Sequence, residues 1–252
     1  VKAWAFVRAV AIVASGVILL WIATGITLQL AFAKSATTLA RTFWPAGAAA
    51  KVVEGSRLVV ELPAPAASIK RQRAIVRDAV LREPVNAEGL SILAALADAR
   101  GESRQARTLF RLSEVMSRRN RLAQFWLIED SVNRGDIKEA LRHYDRAMRV
   151  SGDAATILMP ILVGASSDAS VLSALLPTLA QRPLWLTGYL NQLATSGTDP
   201  TVISAVLRVA PPDIRNDRGR YLAENLLRRM IALKAGGAAV VAANRLQGRP
   251  GK

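Results

Sequence analysis

A chain of 252 residues with 51 % apolar side chains is long enough for one or two packed domains. It has no cysteine, which excludes a disulfide framework, a zinc knuckle and a thiol nucleophile. The 34 lysines and arginines against 19 carboxylates leave a formal charge of +15, suited to phospholipid head groups, an acidic polymer or an acidic protein without choosing among them.

From Ala9 to Ala33 the sequence runs 25 residues without a charged side chain, between Arg8 and Lys34. As a helix this run covers about 37 Å, more than the roughly 30 Å hydrocarbon core of a bilayer. Residues 1–33 therefore read as a short tail and a single transmembrane anchor, with residues 9–33 in the lipid. Trp4 and Phe6 before the run, Phe32 at its end, and Phe43 and Trp44 after it, fit the two head-group layers. Ala31-Phe32-Ala33 has the form of a cleavage site, but a signal-peptide core is only about 7–15 residues long, so an uncleaved anchor is expected. Lys2 and Arg8 are nearly balanced by Lys34, Arg41 and Lys51. The short basic tail places the N-terminus in the cytoplasm and exports the body. Ala11-x3-Ser15, Thr24, Thr27 and Gln29 would let the span pack on another helix.

Residues 34–68 carry weaker signals. Ser35 to Trp44 fits a short helix stopped by Pro45-Ala46-Gly47, and Ala48 to Leu62 fits a weak one broken at Gly55. Pro63 to Ala67 reads as an extended linker. Two readings stay open: a spacer, or a degenerate helical hairpin capping the solenoid.

Ile69 to Glu83 is amphipathic, with Ile69, Ile75, Val76, Ala79 and Val80 near one side. Pro84 ends it and Asn86 caps the next helix. Beyond this point the chain matches itself when slid by 34 positions. Leu93 falls on Leu127, Arg100 on Arg134, Gly101-Glu102 on Gly135-Asp136, Ala106 on Ala140, Phe110 on Tyr144, and Ser113 on Ala147. The units run from Ala87 to Asn120 and from Arg121 to Ala154, and the helix before them falls where the second helix of an earlier unit belongs.

Each matched position has a packing reason. Gly101 and Gly135 end a first helix where positive φ is needed. Glu102 and Asp136 stand where a carboxylate favours exposed helix N–H groups. Ala106 and Ala140, then Ser113 and Ala147, are small at helix contacts, and Phe110 and Tyr144 fill the volume between helix pairs. Over residues 69–154 this pattern and its period resemble the tetratricopeptide repeat family. The departures are Leu90 in place of the first-helix aromatic and Gly152 in place of the closing proline. The resemblance implies stacked helix pairs that bind proteins. The layout of anchor plus repeats is similar to that of periplasmic tetratricopeptide proteins of proteobacteria, which implies an inner-membrane location with the body in the periplasm.

Residues 155–246 read as further helices with degenerate repeats, and residues 247–252 as a tail. The expected helices are an apolar one from Thr156 to Gly164 containing Pro160, one capped within Ser166-Ser167-Asp168 and reaching Ala180, and one from Pro183 to Ala194. A helix from Pro200 to Val209, a long one near Asn216 to Lys234, and Ala238 to Leu246 after a break at Gly236-Gly237 complete the series. The fold class is all-α: a transmembrane helix followed by a tetratricopeptide-like α-solenoid with degenerate C-terminal repeats.

No nucleophile elbow, phosphate loop, dinucleotide fingerprint or H-E-x2-H stands in the sequence. His143, the one histidine, has no cysteine or carboxylate cluster beside it, and reads as a partly exposed helical residue. Asp130, Asp136, Glu139 and Asp145 lie among cations and read as charge pairs. No catalytic, cofactor-binding or metal-binding residue is expected, and no cofactor. Arg104, Arg107 and Arg111 share one helical face, as do Lys138, Arg142 and Arg149. These six are the candidates for contact with an anionic lipid or polymer. Nucleic acid is not expected, since no aromatic platform interleaves the arginines. Together the features point to a non-catalytic membrane scaffold for protein partners. The alternatives are an accessory subunit of a membrane complex, or a glycan-binding factor of polysaccharide export using Trp126 and Trp185.

Overall fold

The computed structural model describes residues 15, 19–24, 27, 48–150 and 152–248. All regular structure among them is helical. Of the anchor expected at 9–33, the described residues 15, 19–24 and 27 are helical, and the rest of that expectation lies outside the described residues. So do the short helix expected from Ser35 to Trp44 and the residues after 248. No helix among the described residues is long and apolar enough to cross a membrane. The chain divides into two compact units, Val1–Asn120 and Arg121–Lys252.

The first unit holds α1 (Ala48–Val60), α2 (Ala66–Arg82), α3 (Ala87–Asp98) and α4 (Ser103–Met116). Helices α1, α2 and α3 pack on one another, and α3 and α4 form a close pair. Helix α3 is therefore covered on nearly all sides and is buried continuously from Gly89 to Ala97. Its N-terminus is closed by Asn86, whose side chain accepts from Gly89 N at 2.7 Å. Val52, Ile69, Val76, Ala79, Ile92 and Leu96 make the core.

Two sequence expectations change here. Helix α1 passes through Gly55 unbroken, because that residue serves packing and not a turn. A Cβ there would lie 2.6 Å from Val76 Cγ2 and 2.9 Å from Ile92 Cγ2, so only glycine lets the three helices approach. Ala66 and Ala67 belong to α2 and not to an extended linker. Pro65 stands at the N-cap, where its missing N–H costs nothing, and two alanines favour the helix directly after it.

The second unit holds α5 (Arg121–Asn133), α6 (Ile137–Val150), α7 (Gly152–Ala165), α8 (Ala169–Ala180), α9 (Leu186–Ser196), α10 (Pro200–Val209), α11 (Asp217–Ala232) and α12 (Gly236–Leu246). Helix α5 pairs with α6, and α11 with α12. The odd helices α7, α9 and α11 adjoin in one row, and the even helices α6, α8, α10 and α12 in another. The core lies between the rows, from Leu158 and Leu162 through Leu175, Tyr189, Leu193 and Ile203 to Leu226 and Met230. Tyr189 is fully buried, and its hydroxyl donates to Ser166 Oγ at 2.9 Å. Asp168, Asp199 and Asn216 cap α8, α10 and α11 with their side chains. Gly236 and Gly237, expected to break the chain, form the first turn of α12, where the break comes one residue earlier.

Candidate functional site

The self-matching residues lie in the α3/α4 and α5/α6 hairpins, one in each unit. Gly101 has φ +78° and Gly135 +72°. Gly101 N donates to Asp98 O at 2.8 Å and Glu102 N to Ala97 O at 3.0 Å. In the second hairpin Gly135 N donates to Val132 O at 2.9 Å and Asp136 N to Ser131 O at 2.9 Å. The acceptors are 34 positions apart like the donors, so one helix-ending turn is built twice. Ala106, Phe110 and Ser113 are fully buried in the first hairpin, and Ala140, Tyr144 and Ala147 are buried in the second. Burial raises the pKa of the Tyr144 hydroxyl.

The turn occurs a third time, where the sequence does not announce it. Between α11 and α12, Lys234 has φ +62°. Lys234 N donates to Ile231 O at 2.9 Å and Ala235 N to Met230 O at 3.0 Å, the same two spacings. A lysine stands where the other two turns have glycine, so a search on residue type passes over it.

His143 corrects the sequence reading. It is fully buried, with Nδ1 2.8 Å from Gln124 Oε1. The cause is its place on α6, three residues after Ala140 and four before Ala147, which puts it on the inward face. That spacing was the signal available. Nearby, Asp130 is buried and accepts from Arg134 Nε at 3.1 Å, while Arg134 Nη2 lies 2.6 Å from Glu139 Oε2. These hydrogen bonds, Glu139's first and Asp130's second, raise the pKa of the Arg134 guanidinium. Among the described residues no group of three or more His, Asp or Glu side chains is arranged to hold a metal ion.

The candidate anionic contacts fall into two kinds. Arg104 and Arg111 are exposed on α4, with Arg107 half-buried. On α6, Lys138 is exposed, but Arg142 lies 3.0 Å from Glu139 and Arg149 lies 2.8 Å from Asp145. Two of the three cations of that stripe thus have their charge met on their own helix. Trp185, a glycan candidate, is buried and donates Nε1 to Asp145 Oδ1 at 2.9 Å, while Trp126 is half-buried.

Two grooves in the second unit escaped the sequence reading. One, of about 380 Å³, lies between α9 and α11, lined by Asn191, Thr195, Asn225, Arg228 and Arg229. Arg229 is held there by its bond to Gly197 O at 2.7 Å. Asn191 and Asn225 are themselves 34 positions apart, a spacing the departure of the surrounding residues from consensus conceals. The other lies between α10 and α12. Comparison of the sequence with protein-family models and with curated proteins finds no match.

Proposed function

We propose that the chain is a non-catalytic, tetratricopeptide-like helical scaffold, tethered to the bacterial inner membrane by residues 9–33 and holding protein partners on its exported, periplasmic body. The observation that carries this reading is the helix-ending turn built at Gly101 and again at Gly135 from the same main-chain bonds. Helix pairs made to one plan at a fixed interval are the architecture of stacked-repeat binding proteins, whose extended faces serve as contact surfaces. The tether is supported by the uncharged run itself and by the helical stretch 19–24, on which Leu19, Leu20 and Trp21 are all exposed. Cross-linking in intact cells, followed by mass spectrometry of detergent extracts, tests the scaffold. Recovery of a reproducible protein partner is expected, and its absence would count against the reading. Resistance of the chain to carbonate extraction of membranes tests the tether, and accessibility of a cysteine placed at Arg104 to a membrane-impermeant reagent tests its orientation.

A second reading, a permanent subunit of a membrane complex, is favoured by one feature. Residues 154–198 contain only Asp168 and Arg182 as charges, and Ile157 and Ile161 lie more than half exposed one turn apart on α7. Exposed apolar side chains on a nearly uncharged stretch suit a lasting interface. Chain solubilised from native membranes that migrates alone in a native gel would set this reading aside.

A further inference from the structure

Three of the four helices in the even row of the second unit are set apart by what they lack. Helices α8, α10 and α12 contain no carboxylate, and their only charged residues are Arg208 and Arg245, in the last turns of α10 and α12. A cation in a last turn favours the carbonyl end of its helix, which accounts for each arginine singly. It does not account for their sharing one groove. Helix α10 packs beside both α8 and α12. Between α10 and α12 runs a cavity of about 330 Å³ into which Arg208 and Arg245 both face, with Leu207, Ala238, Val241 and Ala242 among its walls. On α6, by contrast, Arg142 meets Glu139 at 3.0 Å and Arg149 meets Asp145 at 2.8 Å. Arg208 and Arg245 have no carboxylate at ion-pair distance among the described residues. Beside the groove, Val240 and Val241 are 61 % and 49 % exposed, so an apolar wall continues outward onto the surface of α12.

Two unneutralised guanidinium groups bordering an apolar slot match a molecule with an anionic head and a hydrocarbon tail. We propose that the groove between α10 and α12 binds an anionic phospholipid, with Arg208 and Arg245 holding the phosphate and the apolar wall receiving part of an acyl chain. Guanidinium groups match phosphate oxygens in geometry as well as charge. The cavity admits part of one chain and no more, so the lipid stays seated in its leaflet while the body is held against the head groups. This goes beyond the scaffold reading and uses the tether proposed above only to bring the face near a bilayer.

Hydrogen exchange of the full chain, reconstituted in nanodiscs of phosphatidylcholine alone or of phosphatidylcholine with phosphatidylglycerol, tests it. The amides of α12 are expected to exchange up to about 25-fold more slowly in the anionic discs, since each of the two arginines is worth about a factor of five in affinity there. The double variant Arg208→Gln/Arg245→Gln, and separately Val241→Asn, is expected to abolish that difference, whereas Arg218→Gln on α11 keeps it. Equal exchange in the two disc types overturns the proposal, as does protection that survives the double variant. Protection lost in the double variant but indifferent to Val241→Asn shows plain charge attraction without a slot, and also overturns it. Protection of α12 that appears only when a protein co-purifies assigns the groove to a protein instead. A chain that stays out of the discs defeats the tether, and the same comparison with added vesicles of the two compositions then reads the groove by itself.

Discussion

The α3/α4 and α5/α6 hairpins have the same turn and the same inward alanine, Ala106 in one and Ala140 in the other, yet they place their buried polar groups at different positions. In the first, Asn120 Nδ2 lies 3.0 Å from Ala87 O, 2.9 Å from Ser91 Oγ and 3.1 Å from Ser113 Oγ, three acceptors sharing its two hydrogens. The residues 34 positions on from Ser91, Ser113 and Asn120 are Phe125, Ala147 and Ala154, and the cluster is gone. In the second hairpin the polar pair is Gln124 and His143, whose counterparts in the first are Leu90 and Leu109. Polar residues have been exchanged as sets in both directions. A buried polar group without its partner costs more than an apolar pair of similar shape, so such sets change together or not at all. The backbone turn and the small contact residues define the hairpin, and the polar cluster is free to move within it.

The strongest blow to the comparison falls on what the two hairpins share. Phe110→Ala removes a fully buried ring and is expected to cost about 3–5 kcal/mol. Tyr144→Ala should cost somewhat less, because Tyr144 keeps 8 % of its surface in solvent. Urea denaturation with hydrogen exchange resolved by hairpin reads both. If Tyr144→Ala proves silent while Phe110→Ala unfolds its hairpin, the two positions are not equivalent despite their register.

Next come the residues that differ. Gln124→Leu and His143→Leu are each expected to cost about 1–3 kcal/mol, since each removes one side of a buried hydrogen bond. The double variant restores the apolar pairing of the first hairpin and should cost clearly less than the sum of the two. Asn120→Ala, which opens the first cluster, falls in the same range of about 1–3 kcal/mol. A strictly additive double-mutant cycle in denaturation would show that the Gln124–His143 bond is not what selects those residues.

The limits of the sequence reading lie where the backbone does one thing and the side chains another. The turns at Gly101 and Gly135 were legible because positive φ is written as glycine, and the helix starts near Asp168, Pro200 and Asn216 because start signals are local. The third turn was hidden by Lys234, which bears the same backbone strain without the residue that signals it. Gly55 misled in the opposite sense: a glycine needed for close approach of Val76 and Ile92 looks, in one dimension, like a helix break. The candidate grooves were illegible for another reason. Arg208 and Arg245, like Asn191 and Asn225, come from helices far apart in the chain, and only the row packing of the second unit brings each pair to one groove.

That contrast gives a smaller prediction of two signs. Gly101→Ala and Gly135→Ala are each expected to cost about 1 kcal/mol, from backbone strain alone. A Cβ at either position meets nothing within 4 Å, so no steric term adds to this. Lys234→Gly, relieving the same strain in the third turn, should stabilise the second unit by a similar amount, about 1 kcal/mol or less after the added freedom of the unfolded chain. Thermal denaturation of the three variants reads it. Opposite signs at equivalent turns support one shared geometry. A destabilising Lys234→Gly would mean that the lysine side chain contributes more than its backbone costs.

The α1/α2 pair extends the comparison to a hairpin with neither a turn glycine nor the inward alanine pattern, where an ion pair joins the helices instead. Lys51 Nζ lies 2.6 Å from Asp78 Oδ2, and Arg82 Nε donates to the same carboxylate at 3.1 Å. The hydrogen bond from Lys51, and then that from Arg82, hold the Asp78 pKa below its ordinary value of 3.8. A depressed folded-state pKa means that the pairing contributes in full above the unfolded value and is lost as pH falls through the folded one. The first unit should therefore loosen in acid below about pH 4, over and above the general acid response of its other carboxylates. Lys51→Met removes the larger cause and should flatten that part of the profile, whereas Arg82→Gln, removing the smaller, should flatten it less. The effect is expected to be the smallest of this series and to fade in high salt, because the Asp78 side chain is 46 % exposed. An acid profile of α1 and α2 exchange that is the same in both variants and the parent would show that apolar packing around Gly55 holds this hairpin without help from the charge.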